Sequence, residues 1–325
     1  MKATPAILRN TFHHDRFDDP RRLVALKEKR GVTISLAFPT MNEGQTIGKE
    51  ILVLKAELMD RFPLLDEIAV IDSGSSDDTR SVAARYGAKV YNSREILKRH
   101  GSFRGKGENL WKSLYVLTGD LIVWIDADIS NIAPRFLCGL VGPLLENERL
   151  AYVKAFYERP LRAAGALLPG AGGRVTEILV RPLFSLLYPE LANLFQPLSG
   201  EYAGRRTLLE RLPFSVGYGV EIGHLIDIYH LQGVQSIAQV DLDLRVHRNQ
   251  PLPALSRMSF GILNTFLNRL ERYGEAHLLR DLHAEHLAPL LKDRRYSVHS
   301  TAIPIKERPP IKELEEYRRK FGLSS

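Results

Sequence analysis

The first 130 residues alternate between short apolar runs and amphipathic stretches. Val32-Thr33-Ile34-Ser35-Leu36-Ala37-Phe38 has strand character, and Pro39 ends it by removing a ladder donor. From Thr46 the spacing changes. Ile47, Ile51, Leu54 and Leu58 recur at three and four, which predicts a helix with one buried face. Glu67 to Ile71 predicts a second strand, closed by Asp72-Ser73-Gly74-Ser75-Ser76-Asp77-Asp78-Thr79, where Ser76 or Asp77 can cap a helix running to Tyr86. Ala88 to Tyr91 is a short third strand, and Arg104-Gly105-Lys106-Gly107-Glu108 opens a helix through Leu117. Leu121-Ile122-Val123-Trp124-Ile125 has no polar position, as expected of a strand covered on both faces. Strand and helix alternating in this way predict an α/β fold with a Rossmann-like, mostly parallel sheet.

Beyond residue 130 the pattern is less regular. It predicts a helix near 133–146, a strand over Tyr152 to Phe156, helices from Val175 and within Gly217 to His224, and a strand over Ser236 to Val246. In that last strand Asp241 and Asp243 fall on one polar face. Residues 252–292 read as helical, and Leu255, Met258, Ile262, Phe266 and Leu270 form a stripe suited to a core or a dimer face. The tail from Lys292 is basic, then proline-containing, and carries no chemistry in this reading.

Chemistry enters where the strands stop. The apolar run 121–125 leads directly into Asp126-Ala127-Asp128. Ligands of open α/β sheets sit beyond the carboxyl ends of such strands. Two acids placed there repel unless a cation lies beside them, and oxygen ligands suit Mg²⁺ or Mn²⁺. The alternative is a solvated pair of aspartates in a turn, since D-x-D also arises by chance and Asp241-Leu242-Asp243 is a second copy. The other strands end in Pro39-Thr40-Met41-Asn42-Glu43 and in the Ser/Asp/Gly loop 72–79, so one rim would gather carboxylates, hydroxyls and free amides. Neither the G-x-G-x-x-G of dinucleotide sites nor a P-loop is present there. Gly165 to Arg174 is glycine-rich and precedes a helix start, which can be an anion site or a plain surface loop. Glu221 stands in a helix first turn, as a dipole-satisfying surface acid or a substrate contact. His247-Arg248-Asn249 follows a strand end, where a histidine has a better claim to a site than elsewhere.

Composition narrows the partners. The chain has 325 residues, 44% hydrophobic and 26% charged, enough for a large core in one or two domains. Cys138 is the single cysteine, so no intrachain disulfide forms, and we take it as a packed thiol. The start is charged and His-rich (Phe12-His13-His14-Asp15-Arg16), without the apolar stretch of an export signal. No run approaches the roughly 18 apolar residues of a membrane span. These features lead us to expect a cytoplasmic protein with no membrane partner. The net charge of +7 is scattered and lacks a basic-aromatic motif, so we expect no nucleic-acid partner but a polyanionic small substrate.

In this order the pieces resemble the GT-A glycosyltransferases, and more closely the retaining glucosyl-3-phosphoglycerate and mannosyl-3-phosphoglycerate synthases of bacteria. The residues carrying the resemblance are Pro39 to Glu43, Asp72 to Thr79, Arg104 to Glu108 and Asp126-Ala127-Asp128. They continue through Gly172-Gly173-Arg174-Val175-Thr176-Glu177, Gln196 to Tyr202, Gly217-Tyr218-Gly219-Val220-Glu221-Ile222-Gly223 and His247-Arg248-Asn249, spanning roughly 32–255. The P-x-x-N-E and D-x-D pieces are widely shared; G-G-R-V-T-E, G-Y-G-V-E-I-G and H-R-N are more selective.

The resemblance implies a GT-A nucleotide-sugar-binding sheet. It implies a donor half over 31–130 and an acceptor half over 131–250. The polar N-terminal arm over 1–30 and the helical C-terminal extension and tail over 251–325 are read from the residues, and the arm and the chain beyond about 290 gain nothing from the resemblance. Donor binding falls to Pro39, Thr40, Met41, Glu43, Ser73, Lys106, Asp126, Ala127, Asp128 and Leu198. Acceptor binding falls to Gly173, Arg174, Val175, Thr176 and Asn249, and the metal, Mg²⁺ or Mn²⁺, to Asp128 and His247. Glu221, Asp128 and Lys106 are the candidate catalytic groups, Glu221 as an orienting acid rather than a nucleophile. The partners implied are a nucleotide sugar, 3-phosphoglycerate and a second copy of the chain as a homodimer. The loop Pro39-Thr40-Met41-Asn42-Glu43 departs from the Pro-Ala-Leu-Asp-Glu of glucosyl members, which inclines the expectation toward GDP-mannose. Three rivals stand beside this reading: an inverting transferase acting on a polyprenyl phosphate, which would share the first 130 residues; a nucleotide-sugar-binding protein without turnover, which would keep the loops; and a nucleic-acid binder, which would explain only the charge.

Overall fold

The computed structural model of the chain describes residues 4–159, 161–163, 166–168, 173–246, 250–303 and 305–323. Strand β1 (Thr11–His13) is followed by helix α1 (Pro20–Arg30), β2 (Ile34–Thr40), α2 (Ile47–Lys55), β3 (Glu67–Asp72), α3 (Thr79–Arg85) and β4 (Lys89–Asn92). Next come α4 (Lys106–Val116), β5 (Leu121–Trp124), α5 (Arg135–Glu146), β6 (Tyr152–Glu158) and β7 (Tyr202–Arg205). Helix α6 (Val220–Gln232), β8 (Ile237–Leu244), α7 (Leu252–Arg272) and a hairpin of β9 (Glu285–Lys292) and β10 (Arg295–Ala302) follow.

Eight strands form one sheet in the order β1-β8-β6-β7-β5-β2-β3-β4. All pair in parallel except β7, which runs antiparallel between β5 and β6. The chain moves outward from β2 to β4 and then returns to lay β5 on the other side of β2. That reversal is where an open sheet leaves a crevice for ligands. The apolar run of β5 is explained by its two covers. Ile122 and Trp124 face the core beneath α4 and α6, whereas Leu121, Val123 and Ile125 face the core beneath α2 and α5. Cys138 lies buried in the second core, and that burial pushes its thiol up to about 12.

Three expectations require correction. Residues 4–30 are more than a polar arm. β1 extends the sheet edge along β8, and Phe17 is buried against α5, where a Cβ on Gly142 would meet its ring at 2.2 Å. The helix predicted over 252–292 ends at Arg272, because Gly274 takes φ +70. Its last eight residues are instead β9, the first strand of a hairpin turned by Asp293 and Arg294 with φ +51 and +61, the primed two-residue turn that suits strand twist. Apolar residues spaced irregularly through 278–291 fit either period, which is why the pattern misled. Lastly, Asp241 and Asp243 do not share a continuous polar face: Asp243 has φ +64 and the register with β6 shifts between Asp241 and Leu244.

The end of the tail is part of the core, with Arg308, Ile311 and Tyr317 buried. Glu307–Arg308 pairs antiparallel with Phe214–Ser215. Arg308 sends Nε and Nη2 to the buried carboxylate of Glu108, each at 2.7 Å, and donates to the carbonyls of His100 and Gly101. Removing one partner of a buried ion pair costs about 3–5 kcal/mol, because the other charge is left uncompensated. Lys112, 3.2 Å from Glu108, would compensate part of that loss. Arg308→Ala should therefore lower unfolding free energy by about 3 kcal/mol, at the low end of that range. Urea denaturation measures this, and an unchanged midpoint would show the tail to be an ornament.

Candidate active site

At the carboxyl ends of the strands a cavity of about 1000 Å³ opens over the crevice. Pro39, Thr40, Met41 and Glu43 line it from the end of β2, and Ser73 from the end of β3. The β3 loop is fixed from within. Asp72 is fully buried and accepts from the amides of Gly74 and Ser75, each at 2.9 Å, while Asn109 of α4 donates to Ser73 Oγ at 2.8 Å. Asn42, at φ +60, accepts the Ser76 amide at 2.9 Å, so its side chain serves the turn.

Asp126 and Asp128 follow β5 at the cavity wall, 27% and 29% exposed, with Ala127 and Leu198 beside them. Lys106, at the start of α4, places Nζ 2.6 Å from Asp126 Oδ1 and 3.0 Å from Glu221 Oε1 in the first turn of α6. Glycines flank this lysine because the loop runs against the neighbouring backbone: a Cβ on Gly105 or Gly107 would lie 2.2 Å from Val216 O or 1.8 Å from Ser215 O. Arg245, just past β8 and 4% exposed, reaches Asp126 at 3.2 Å, Asp128 at 2.8 Å and the fully buried Glu201 at 3.0 Å. Gly200 is required here as well, since a Cβ would sit 1.9 Å from Asp126 Oδ2.

The charges shift one another. Burial alone would lower the Lys106 ammonium, but Asp126 and Glu221 hold it raised. Burial would raise the Asp126 carboxyl, and Lys106 with Arg245 hold it well below the usual range. Asp128 goes the other way, raised by burial and by the neighbouring Asp126 and Glu201 despite Arg245. Directly paired, the rim carries Asp126, Asp128, Glu201 and Glu221 against Lys106 and Arg245. The acids are in excess, and Asp128 Oδ2 makes no hydrogen bond among the described residues. An oxygen donor with surplus negative charge fits a hard divalent cation. His247, expected as its second ligand, and Asn249, expected at the acceptor, lie outside the described residues.

Across the cavity, Gly173, with φ +77, leads into a helical stretch in which Val175 and Thr176 are buried and Arg174 lines the wall. Arg174 Nη2 donates to Gln250 O at 2.8 Å. Free amides at a helix start beside a guanidinium favour an anion. The described lining holds nine Lys and Arg against five Asp and Glu. The structure therefore gathers in one cavity every expected site residue that it describes.

Several groups at the site escaped sequence reasoning. Arg245 carries no motif of its own, and the available signal was its place at a strand end beside H-R-N. Glu201 lies within the Gln196 to Tyr202 piece but was given no role there, and it sits fully buried behind the lining, against Arg245. Arg159 lines the wall and donates to Tyr157 OH at 2.8 Å, which in turn bonds Glu201. Leu255, Met258 and Ile262 of the helical stripe face the cavity, as do Ile303, Ile305, Lys306 and Glu307 of the supposedly silent tail. Beneath the second acid, Glu50 accepts the Ile129 amide at 3.0 Å, and burial pushes its carboxyl well up.

Comparison with known proteins agrees with this geometry. Residues 35–167 match the glycosyl transferase family 2 domain. The chain is 57% identical to the glucosyl-3-phosphoglycerate synthase of Petrotoga mobilis, over 97% of each protein. It is 43% identical to that of Mycobacterium tuberculosis, over 87% of this chain and 86% of the other. Among solved structures, mannosyl-3-phosphoglycerate synthase from Rubrobacter xylanophilus superposes with a TM-score of 0.86 at 36% identity, covering 95% and 96% of the two chains. The M. tuberculosis glucosyl enzyme, in complex with Mn²⁺, UDP and phosphoglyceric acid, gives 0.82 at 40% identity, covering 94% and 98%.

One buried cation sets a pH dependence. Lys154 of β6 lies 4.3 Å above the Tyr202 ring, and burial pushes it down to about 7. The unfolded chain then binds more protons than the folded one above that pH, so stability rises with pH toward the ordinary lysine range. The unfavourable contribution is greatest below about 7 and fades above it. Lys154→Met should flatten the rise in urea-unfolding free energy from about pH 7 to 9. An identical slope in the variant would refute the assignment.

Proposed function

We propose, for a chain that belongs to the glucosyl-/mannosyl-3-phosphoglycerate synthase family and is a hexosyltransferase, that it moves glucose from a nucleoside diphosphate sugar to the 2-hydroxyl of 3-phosphoglycerate with retention. The observation that carries this reading is the joint cavity. A carboxylate-rich rim suited to a cation faces an arginine-bearing helix start suited to a phosphate, across about 1000 Å³. The nine described cations of the lining would draw in two polyanions.

The donor would lie along Pro39 to Glu43, Ser73 and Asp126 to Asp128. Lys106 locks Asp126 and Glu221 in place, so the ends of β5 and α6 keep one geometry as charge moves. Asp128, together with His247, would hold Mg²⁺ or Mn²⁺, which supplies countercharge for the departing diphosphate. Glu221 Oε1 is engaged by Lys106 at 3.0 Å, which favours an orienting role over covalent attack on the sugar. The acceptor hydroxyl can then give its proton to the departing phosphate oxygen, and no protein base is needed. Gly173, Arg174, Val175 and Thr176 would bind the acceptor's phosphate and carboxylate. The glucosyl names of relatives at 43 and 57% identity favour glucose, and the UDP bound in the M. tuberculosis enzyme's structure favours a UDP donor. Mannose and GDP remain the second reading, favoured by Thr40 and Met41 in the first loop; Asn42 lends it less, since its amide is occupied in the turn.

The test is a donor matrix of UDP- and GDP-linked glucose and mannose, each with 3-phosphoglycerate, with Mg²⁺ or EDTA. UDP-glucose with metal should give the highest kcat/KM, and EDTA or Asp128→Ala should abolish transfer. Preference for GDP-mannose would reverse the sugar assignment; turnover surviving EDTA would reject the metal. Arg174→Ala removes a charged hydrogen-bond donor worth about 1.5–3 kcal/mol, so the acceptor KM should rise about tenfold or more with the donor KM nearly unchanged. Equal increases in both would mean that the loop is misassigned.

A further inference from the structure

The histidines at the start of the chain and the second D-x-D motif, which the cavity does not use, meet at the far edge of the sheet. β1 pairs with β8, placing His13 opposite Asp241. His13 Nε2 lies 3.0 Å from Asp243 Oδ1, and His14 Nε2 lies 2.6 Å from Asp243 Oδ2. On the opposite side of each ring, Asp15 stands 3.1 Å from His13 Nδ1 and 3.3 Å from His14 Nδ1. One donor atom from each of His13, His14 and Asp243 falls within 4.8 Å of the others. None of the four side chains lines the cavity.

Two features make this more than a chance surface cluster. Asp243 adopts φ +64 at the bulge of β8, and its amide is tied to Asp241 Oδ1 at 2.9 Å, so backbone geometry turns its carboxylate toward the imidazoles. His14 is only 12% exposed, and its buried Nδ1 has Asp15 Oδ1 at 3.3 Å but makes no aligned hydrogen bond to it. Without a metal, satisfying Asp243 from both Nε2 atoms and Asp15 from both Nδ1 atoms needs two protonated rings with centroids 4.5 Å apart, which repel. A divalent ion replaces the two Nε2 protons with one centre. It leaves Nδ1–H groups facing a carboxylate, the usual support behind metal-bound histidine. The Asp15 amide, 3.3 Å from His13 Nδ1, competes for that atom in the other tautomer.

We propose that His13, His14 and Asp243 bind one divalent ion of the zinc class at the β1–β8 edge, with Asp15 supporting the imidazoles. Two nitrogens and a carboxylate suit Zn²⁺ or Co²⁺ better than Mg²⁺, so the site and the catalytic rim select different cations. The ion staples the N-terminal strand to the bulge two residues before Arg245.

The test titrates the full-length protein with Co²⁺ in an excess of Mg²⁺ and follows the visible d–d absorption. One equivalent should bind, be displaced by Zn²⁺, persist in Asp128→Ala, and vanish in Asp243→Asn and in His13→Gln. Asparagine tolerates the left-handed backbone of residue 243, and residue 13 is exposed, so both variants should fold. Zn²⁺ should raise the wild-type Tm and leave that of Asp243→Asn unmoved. No band in the wild type, or an equal band in the two edge variants, overturns the proposal. A band lost only in Asp128→Ala would place the ion in the cavity and overturn it equally.

Discussion

Charge buried at the sheet rim is the constraint around which this molecule is arranged. Each isolated ion taken out of water costs several kcal/mol unless it is paired with good geometry. Here Arg245 answers three carboxylates and Lys106 answers two, with Asp126 shared between them. The sharing leaves the outer acid, Asp128, under-compensated and its neighbour Asp126 over-compensated, and their carboxyls shift in opposite directions. A rim so arranged is stable without a ligand yet keeps an attraction for one more positive charge at one defined place.

The sheet topology serves this arrangement. β7 runs against its neighbours, so its beginning lies at the rim where β5 and β6 end. That reversal delivers Glu201 beside Asp126, and Tyr202 pairs opposite both Trp124 and Lys154. A parallel strand in that position would have carried Glu201 to the opposite edge. The glycine at 200 follows from the same crowding, because only a residue without Cβ lets the backbone pass so close to a carboxylate.

Much of this was legible in the sequence, and the limits have physical reasons. The strands β2, β3 and β5 stood out because each is buried on both faces, and a short uninterrupted apolar run between polar loops has little else to form. Lys106 and Asp126 were readable because glycines and a strand end mark them. Arg245 was not, because an arginine after an alternating strand looks like any solvated charge until the bulge at Asp243 turns the chain. The hairpin β9–β10 was missed because it is exposed on both faces, with Leu287, Leu291 and Tyr296 more than half exposed, so no buried face imposed a strand period. Tail residues such as Lys306 and Glu307 offered no pattern at all; their role comes from pairing with a segment some ninety residues earlier.

That long-range pairing ties stability to the site. Arg308 grips Glu108, two residues after Lys106 on the same helix, and Glu307 beside it holds Arg269, which also holds Asp227 of α6, the helix bearing Glu221. The tail thus bridges the two helices whose first turns supply the lysine and the acid of the Lys106–Glu221 pair. Backbone contact reinforces the bridge: Val216 N donates to Lys306 O at 2.8 Å, and Glu108 N to Val216 O at 3.2 Å. A wall that closes the cavity and also sets the spacing of α4 and α6 cannot loosen without moving the charges at the rim. The cavity and the folded core therefore share their ion pairs, and a substitution in the tail can reach the rim through two helices without touching it.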